Sequence, residues 1–500
     1  MDFNAQTIER MASTILGGLT LFVAFEWVIR VVMFVVVPQR RSTASAYAWL
    51  LLIFLYPIFG TIAFLFLANN KLDNVRRTKQ RTIDSAFKQA VSEARAHPDL
   101  SSDLIPELPP RYAGIARLSE NVGQLPPFGG NAIEFLPDYL GVVQRLIADI
   151  DAAQRFVHVE YFMFADDETG APVVDALIRA RARGIVVRVL VDHFGNWFFI
   201  KPLFRRLRAG GVECHRMLPI SLIDNHWSRF DLRNHRKNVV IDGAIGFTGS
   251  QNLINANYNK RRNIRNGLSY EELVIRVIGP VVTQMEGVFA SDYYSETDVL
   301  LDPAKFRELA TELQTVGDVV AQVLPSGPGH ATQNNELLFA ALFHNAQRTI
   351  VIATPYFVPD ESLMDALTTA ARRGVDCQLI VSGIADQFLV SRAQCSFYQE
   401  LLEVGVRIYL FNAPLLLHAK HLSIDDDVCV LGSSNMDIRS LALDLEISLV
   451  IYSADVVRRL RAIEAAHLAR SHELTLAEWM RRPWHERVIQ NSCRMTSDFV

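Results

Sequence analysis

Two stretches decide the fold of this chain: HRKNVVIDGAIGFTGSQNLI, residues 235–254, and HAKHLSIDDDVCVLGSSNMD, residues 418–437. Aligned without a gap, both follow the pattern H-x-K-x4-D-x6-G-S-x-N. In the first stretch, strand alternation places His235 and Lys237 on one face. Asp242 and Gly243 then predict a hairpin turn, followed by a returning strand. The duplication suggests that neither copy is a complete active site.

The sequence before these stretches is repeated as well. RFVHVEYFMFADDETGAPVVDALIRARARGIVVRVLVD, from Arg155, resembles RTIVIATPYFVPDESLMDALTTAARRGVDCQLIVSG, from Arg348. Each copy predicts an apolar strand, a turn, an amphipathic helix that ends at Gly184 or Gly374, and a second buried strand. Such β-α-β units favour a parallel or mixed sheet covered by helices. The chain therefore contains two α/β halves.

The residue types of the repeated pattern suit phosphate chemistry. An imidazole, an ammonium and several neutral donors near one point can hold a phosphate group and attack its phosphorus. One histidine cannot both attack phosphorus and protonate the leaving oxygen on the opposite side, because the first task needs a neutral ring and the second a charged one. Two halves packed face to face with pseudo-two-fold symmetry would supply both. Taken singly these residues are usually surface or turn residues, but a six-position pattern found twice favours a site.

The N-terminal part is strongly apolar. The chain has 500 residues, half of them hydrophobic. Residues 15–37 and 46–68 are two apolar runs, each long enough to cross a hydrocarbon core of roughly 30 Å. Glu26 and Arg30 in the first run stand one helical turn apart and are expected to pair or to face a neighbouring helix. More basic residues follow the second run than separate the two runs, which predicts cytoplasmic termini.

These features predict a membrane anchor at residues 1–70, a charged connector at 71–112, and two α/β domains at 113–315 and 316–500. The five cysteines are scattered and show no C-x-x-C spacing, which fits a reducing compartment and indicates no zinc site. The formal net charge of −4 argues against nucleic acid as a partner. The one dense basic stretch, residues 259–265, is expected to be a solvated loop or a contact to lipid headgroups.

The paired motifs look like those of the phospholipase D superfamily. Together with AWLL in the second apolar run, TPYFVPD, AARRGVD, GSSNMDIRS and the C-terminal WMRRPWHERV, they make nearly the whole chain resemble bacterial cardiolipin synthases. The resemblance implies an α/β fold in which two phospholipase D-like α/β-sandwich halves pack with pseudo-two-fold symmetry, preceded by two N-terminal transmembrane helices. It implies a multi-pass enzyme of the bacterial inner membrane whose catalytic domains are cytoplasmic.

The implied reaction is phosphatidyl transfer between two phosphatidylglycerol molecules, which gives cardiolipin and glycerol. The implied intermediate is a phosphohistidine, and the implied partners are phospholipid substrates and the bilayer, with no metal or other cofactor. The motif symmetry leaves open which histidine attacks, and the resemblance favours His235. The expected site residues are the catalytic His235, Lys237, Asp242, His418, Lys420 and Asp425, the substrate-binding Ser250, Asn252, Ser433 and Asn435, and the histidine-orienting Glu272 and Glu446.

Several assignments stay open at this stage. Strand alternation turns Asp242 and Asp425 away from the histidines, which predicts a structural role for them. Glu271 is an alternative to Glu272, because the segment before it is basic and ends in tyrosine where the family often has tryptophan. Three further aromatic residues could line the mouth of the site or simply pack in the core, namely His158, Tyr161 and Tyr356.

Other functions are compatible with the motifs. A hydrolytic phospholipase D, or a phosphatidyltransferase that uses phosphatidylethanolamine as co-substrate, would carry the same pattern. A phosphodiesterase nuclease is disfavoured by the two apolar runs and the acidic balance. A catalytically dead membrane scaffold would be indicated by a missing histidine or lysine, and both copies are intact.

Overall fold

The computed structural model describes residues 5–40, 43–68, 72–96, 104–220, 229, 231–301 and 315–495. The chain divides into two compact units, Met1–Lys71 and Leu72–Val500. The two repeated halves both lie in the second unit, which we call the catalytic unit.

The first three helices belong to the N-terminal unit, and the other helices and the strands of the described residues belong to the catalytic unit. The helices are α1 (Ala5–Arg40), α2 (Thr43–Leu55), α3 (Pro57–Leu67), α4 (Asn74–Ala96), α5 (Pro110–Gly123), α6 (Tyr139–Ala152), α7 (Ala171–Ala182), α8 (Ile200–Ala209), α9 (Arg261–Asn266), α10 (Val282–Thr297), α11 (Asn334–Asn345), α12 (Glu361–Arg372), α13 (Phe388–Glu403), α14 (Ile438–Ala442), α15 (Ala454–Ala469), α16 (Leu476–Met480) and α17 (Trp484–Arg494). The strands are β1 (Phe128–Leu136), β2 (Phe156–Tyr161), β3 (Val186–Asp192), β4 (Glu213–Met217), β5 (Arg233–Asn234), β6 (Lys237–Ile241), β7 (Ile245–Gly249), β8 (Ser269–Glu271), β9 (Val274–Ile278), β10 (Val319–Ser326), β11 (Thr349–Ala353), β12 (Phe357–Val358), β13 (Asp376–Ser382), β14 (Arg407–Phe411), β15 (Leu415–Leu417), β16 (His421–Ile424), β17 (Val428–Gly432), β18 (Met436–Asp437), β19 (Asp444–Tyr452) and β20 (Ser471–Leu474).

The N-terminal unit contains one long apolar helix and a helical hairpin. Within the described residues, Ser13–Gln39 is the only helix long and apolar enough to cross a membrane. The prediction of a second spanning helix is corrected, because the run over residues 46–68 is divided into α2 and α3 at Tyr56 and Pro57. Proline lacks the N–H that would continue the helix and restricts the residue before it. Gly60 then lets α3 approach α2 closely, since a Cβ there would lie 2.8 Å from the Cα of Ile53.

The charged pair in the apolar part of α1 interacts as expected. Arg30 Nη1 lies 3.4 Å from Glu26 Oε2, one helical turn away. Arg30 Nε also donates to the carbonyl of Phe54 at 3.2 Å, a group in the last turn of α2. Helix ends leave carbonyls without partners inside their own helix, and an apolar environment makes such groups costly. Arg30 of the charged pair therefore connects α1 to the last turn of α2.

The connector predicted for residues 71–112 contains helix α4. Its Arg76 is 1% exposed and forms ion pairs with Glu296 of α10, at 2.8 Å, and with Asp73, at 2.6 Å. Lys79 contacts Asp298, just beyond the end of α10, at 2.7 Å. Two of the basic residues that follow the second apolar run therefore dock α4 on the catalytic unit. Residues 71 and 97–103 of the predicted connector lie outside the described residues.

The catalytic unit is built on a mixed sheet whose strand order is palindromic. From one end the sheet runs β4-β3-β2-β6-β7-β9-β1, and from the other, inside the edge strand β20, it runs β14-β13-β11-β16-β17-β19-β10. The two series meet where β1 pairs with β10. Strands β2 and β3 of the first half are parallel to each other, as are β11 and β13 of the second half. The first strand of each H-x-K hairpin, β6 or β16, runs antiparallel to them. This order confirms the predicted pair of α/β halves related by a pseudo-two-fold axis.

The β-α-β units form where the sequence predicts them. Helices α7 and α12 end just before Gly184 and Gly374, whose φ angles of 91° and 89° favour glycine. The side chain of Asp360 caps α12 by accepting from the N–H of Leu363. Helices cover both faces of the sheet, as β19 illustrates: Leu449 packs into one apolar cluster and the next residue, Val450, into another. Both faces of the sheet are therefore buried.

The motif aspartates hold the sheet at the edge opposite the histidines. Asp425 is fully buried and accepts from the N–H groups of Gln347, Arg348 and Thr349 at 2.7 to 3.1 Å, and it contacts Arg111. Asp242 accepts in the same way from Gln154, Arg155 and Phe156. Their inclusion among the catalytic residues is therefore corrected, because each one ties the start of a parallel strand to a hairpin turn.

Replacing Asp425 with alanine is expected to lower the free energy of unfolding by about 2–4 kcal/mol, because several charge-assisted bonds to buried N–H groups are lost. The activity of the protein that remains folded should stay within about twofold, since the catalytic step does not involve this edge. Thermal denaturation in detergent, together with activity per folded molecule, measures both effects. Asp426→Ala is the matched control, because that carboxylate is exposed and its pair with Arg348 should contribute under about 1 kcal/mol. Loss of activity without loss of stability in Asp425→Ala would contradict this assignment.

Candidate active site

The two H-x-K segments lie at the carboxyl ends of the parallel strands. Lys237 is opposite Tyr161, the last residue of β2, and His421 is opposite Ala353, the last residue of β11. The carboxyl edge of an open α/β sheet is the usual place for a ligand site. The pKa of His235 is lowered well below its usual range by burial and by the charges of Lys237 and Lys420. Lys420 of the second half is therefore close enough to His235 to lower its pKa, which places both H-x-K segments at one site.

Each histidine is oriented by a glutamate from the opposite half of the chain. His235 Nδ1 lies 2.9 Å from Glu446 Oε1, and His418 Nδ1 lies 2.8 and 2.9 Å from the two oxygens of Glu272. A carboxylate that accepts the Nδ1 proton fixes the tautomer and leaves Nε2 free for chemistry. Of the two acids left open by the sequence, Glu272 makes this contact. Glu271 instead lies 3.8 Å from Arg470.

The backbone explains why the pairing crosses between the halves. Strand β5, directly before His235, pairs with the beginning of β19, and the N–H of His235 donates to the carbonyl of Leu445 at 2.9 Å. Strand β15, directly before His418, pairs with β8, and the N–H of His418 donates to the backbone carbonyl of Glu271 at 2.8 Å. Each histidine is thus held one residue away from the other half's glutamate. Neither half can form its own histidine–glutamate pair.

The two lysines lie beside their histidines and are buried. Lys237 Nζ donates to the carbonyl of His235 at 2.6 Å, and Lys420 Nζ donates to that of His418 at 2.8 Å. Burial lowers the pKa of Lys237 to about 7 and that of Lys420 to about 8, despite the neighbouring glutamates. Buried ammonium groups without a full set of acceptors suit an anionic ligand that would complete their hydrogen bonds.

The serines and asparagines of the motif contact the glutamates or their surroundings. Ser433 donates to Glu446, and the hydroxyl of Ser250 accepts from the N–H of Leu273 at 2.9 Å. Asn252 donates to the hydroxyl of Tyr258 at 3.0 Å. Asn435 is buried, and its Oδ1 has no hydrogen-bond partner among the residues that the structure describes. Asn435 is therefore the motif amide most available to a ligand.

The two glutamates differ in their electrostatics. Burial raises the pKa of both, but at Glu272 the charges of His418 and Lys420 and the bonds from His418 and Ser250 outweigh burial and lower the pKa to about 2. At Glu446 burial dominates over Lys237 and raises the pKa to about 7. Glu272 is therefore ionised at neutral pH, and Glu446 is close to its titration point. Burial lowers the pKa of both histidines, but the charge of Glu272 opposes this at His418, so His418 holds a proton more readily than His235.

Three aromatic residues pack on the histidines, and the sequence indicated only one of them. The ring of Phe162 lies 5.0 Å from that of His235, centroid to centroid. The hydroxyl of Tyr258 donates to Glu272 at 2.7 Å, and its ring lies 5.7 Å from that of His418. Tyr270 is 5.3 Å from the same ring. Only Tyr270 had a sequence signal, through the family position that it occupies.

The other aromatic candidates contact residues other than the two catalytic histidines. His158 Nδ1 lies 2.9 Å from Glu286, and its ring stacks on Phe289. Tyr161 is buried in the apolar core of the first half. Tyr356 donates to Asp386 at 2.8 Å. In the described ranges, no group of three or more His, Cys, Asp or Glu side chains is arranged to hold a metal ion.

Two α/β halves that each supply one histidine and one lysine to a single site define the phospholipase D class. A family model described as "Cardiolipin synthase, PLD-like domain" matches residues 146–292 and 339–466. The chain is 32% identical to cardiolipin synthase A of Proteus mirabilis (strain HI4320), over 97% of this chain and 99% of that protein. It is 29% identical to cardiolipin synthase A of Wigglesworthia glossinidia brevipalpis, over 94% of each. The chain belongs to the phospholipase D-like cardiolipin synthase family.

The fold comparison agrees with this classification. The crystal structure of phosphatidylserine synthase from Haemophilus influenzae Rd KW20 matches with a TM-score of 0.57 and 17% identity, over 77% of this chain and all of that one. At this identity the match supports the fold alone. Family membership indicates a phosphatidyltransferase that acts on phospholipids.

Proposed function

We propose that the protein makes cardiolipin and glycerol from two phosphatidylglycerol molecules, through a phosphatidyl group carried on histidine. The observation that carries this proposal is the crossed pairing of His235 with Glu446 and of His418 with Glu272. It uses the Nδ1 atom of each imidazole and so reserves Nε2 for chemistry in one site between two buried lysines, with Nε2 of His418 3.2 Å from Lys420 Nζ. Such a site can hold a phosphodiester with a nucleophile on one side and a proton donor on the other.

In the first step, His235 Nε2 attacks the phosphorus of the first phosphatidylglycerol. The P–N bond forms as the P–O bond to the headgroup glycerol breaks, and His418 gives its Nε2 proton to the leaving oxygen. In the second step, His418 takes the proton from the headgroup hydroxyl of a second phosphatidylglycerol. That oxygen attacks phosphorus, the P–N bond breaks, and His235 is released. One phosphodiester replaces another, so no nucleotide is consumed.

The assignment of His235 as nucleophile rests on the difference between the two carboxylates. His418 touches both oxygens of an ionised Glu272, which stabilises its imidazolium form more than Glu446 stabilises that of His235. His235 touches one oxygen of Glu446, whose other oxygen accepts from Ser433. A half-neutralised carboxyl supports a neutral imidazole, which is the form that attacks.

The remaining polar residues are assigned by the same geometry. Lys237 and Lys420 would hold the phosphate oxygens, and Asn252 and Asn435 would position the substrate. Ser250 and Ser433 would contribute at the edge of the phosphate and also hold the glutamate-bearing segments. We further propose that residues 113–315 and 316–500 are the two repeated domains, joined to the anchor at residues 1–70 by the connector at 71–112.

We place the protein in the bacterial cell membrane, with α1 as the spanning segment and the catalytic unit in the cytoplasm. The half-buried Arg77 and the exposed Arg81 of α4 support this side by the positive-inside rule. Cys214, Cys377, Cys395 and Cys429 are free thiols, which fits a reducing compartment.

The product of the reaction tests the proposal. Purified full-length protein is incubated with isotope-labelled phosphatidylglycerol in detergent with a chelator, and the products are identified by mass spectrometry beside a His235→Ala control. We expect cardiolipin and free glycerol in equal amounts, both lost in the control. Phosphatidic acid as the main product would make the protein a hydrolase. Turnover only after phosphatidylethanolamine is added would make that lipid the co-substrate.

A further inference from the structure

Exposed apolar side chains lie in equivalent loops of the two halves. The loop after β3 carries Trp197 and Phe198, which are 55% and 84% exposed. The corresponding loop after β13 leads into Phe388 and Leu389, which are 62% and 47% exposed. Both loops follow the carboxyl ends of parallel strands, which is the sheet edge that carries the catalytic histidines. The pseudo-two-fold axis thus repeats an exposed apolar pair beside the active site.

The loop of the first half is connected to the catalytic residues by direct contacts. Asn196 is buried and donates to the carbonyl of Phe162 at 2.6 Å, and the ring of Phe162 packs on His235. Gly195 lies so close that a Cβ there would be 2.5 Å from the same carbonyl. Phe199, next to Phe198, packs on the apolar cluster that contains Tyr258 and Tyr270. The exposed residues are therefore the outer layer of the wall around both histidines.

The loop of the second half is anchored on the same cluster. Asp386, two residues before Phe388, accepts from Tyr356 and from Tyr270, each at 2.8 Å. Tyr270 in turn packs on His418. Ile384 of this loop also packs on the cluster that contains Tyr270. The exposed apolar pairs of both halves thus surround a single opening.

A basic helix lies beside these loops. Lys260, at the start of α9, donates to Tyr270 at 2.8 Å and contacts Asp386 at 3.3 Å, which fixes the helix against the second loop. Arg261, Arg262 and Arg265 of α9 are exposed, and Ile264 between them is 57% exposed. The stretch from Lys260 to Gly267 contains no acidic residue. The edge therefore combines aromatic and aliphatic side chains with a local positive charge.

We propose that this surface docks the catalytic unit onto an anionic lipid bilayer, so that lipid headgroups enter the site directly from the membrane. The rim patch is defined as Trp197, Phe198, Ile264, Phe388 and Leu389 with Arg261, Arg262 and Arg265. Aromatic rings at headgroup depth, apolar side chains and arginines facing anionic lipid are what interfacial binding requires. The inference rests on the proposed function, because it supplies the lipid that the site consumes.

Docking explains how transfer could exceed hydrolysis. The phosphatidyl–histidine intermediate reacts with whichever hydroxyl reaches it, and water is abundant. A patch that seals the opening against the bilayer would exclude water and present a second lipid headgroup. A purely structural role for these residues would not change this ratio.

Fluorescence quenching tests the contact itself. The full-length protein is reconstituted in vesicles of phosphatidylglycerol and phosphatidylcholine that contain a brominated lipid, and each variant is compared with the wild type. Trp197→Phe should remove a component that the brominated lipid quenches, whereas Trp484→Phe, which removes an exposed tryptophan of α17, should not. Arg261→Gln, Arg262→Gln and Arg265→Gln combined should weaken quenching of Trp197 in anionic vesicles. If Trp197→Phe removes only unquenched fluorescence, the patch does not touch the bilayer, and a protein partner becomes the alternative occupant.

Kinetics separate this proposal from the proposed function. Trp197→Ser with Phe198→Ser should lower the rate on long-chain phosphatidylglycerol in vesicles on the order of tenfold and raise the share of phosphatidic acid. The rate on short-chain, monomeric phosphatidylglycerol should be unchanged. Val186→Ser, at the other end of β3, is the matched control and should change neither rate. Equal losses on both substrates would overturn the docking role, whereas a wild type that forms no cardiolipin from either substrate would overturn the proposed function instead.

Discussion

His418→Ala is expected to trap a covalent phosphatidyl group on His235 when the substrate carries p-nitrophenol in place of glycerol. This leaving group departs without a proton, so loss of the acid should spare the first step. The second step still needs His418 as a base to take the proton from the incoming hydroxyl. We expect a burst of one p-nitrophenolate per active site and then a stalled intermediate.

With natural phosphatidylglycerol the same variant should be nearly inactive. The leaving glycerol oxygen needs its proton, and general acid catalysis contributes on the order of 10² to 10⁴-fold. His235→Ala should lose on the order of 10⁴-fold or more with either substrate, because it removes the nucleophile itself. The adduct is located by peptide mass spectrometry at neutral or alkaline pH.

The two variants together distinguish the possible mechanisms. A burst in His235→Ala and none in His418→Ala would exchange the roles of the two histidines and overturn the assignment made from the glutamates. Bursts in both variants would mean that either histidine can attack. Lys201→Ala, an exposed residue of α8, is a control for nonspecific loss and should behave as the wild type.

The sequence predicts which residues lie together at the candidate site but not how they are paired. His235, Lys237, His418 and Lys420 follow from a pattern whose spacing is local and whose strand period is regular. The exchange of Glu272 and Glu446 between halves depends on the short parallel pairs β5–β19 and β8–β15. Those pairs join segments more than a hundred residues apart, for which no periodicity gives a signal.

Two further features show where local patterns fail. The second apolar run has the length and hydropathy of a spanning helix, yet Pro57 and Gly60 divide and fold it, because backbone constraints outweigh mean hydropathy. Tyr258 lies at a positive φ of 57° in a polar segment, where neither propensity nor pattern predicts a contact to the catalytic acid. In contrast, the structural role of the motif aspartates could be predicted, because strand alternation alone decides it.

Glu272→Gln is expected to shift the alkaline limb of the pH–rate profile to lower pH by about one unit or more. The pKa of His418 is already lowered by burial, and the charge of Glu272 is the main effect that opposes this. An amide removes that charge, so the imidazolium loses its proton at lower pH and the acid form becomes scarcer still at neutral pH. The rate at pH 7 should fall on the order of 10 to 10³-fold.

Glu446→Gln should behave differently, although its contact to histidine is nearly the same length. Burial raises the pKa of Glu446 to about 7, so below that pH the carboxyl is already largely neutral and the amide should change the rate little. Above pH 7 the wild-type carboxylate is ionised and raises the proton affinity of His235, so the variant should differ there. Profiles of kcat/KM for both variants, with Glu271→Gln as the matched control beside Glu272, measure these effects. Equal shifts in Glu272→Gln and Glu446→Gln would show that the two histidines are electrostatically equivalent and that the fold does not assign their roles.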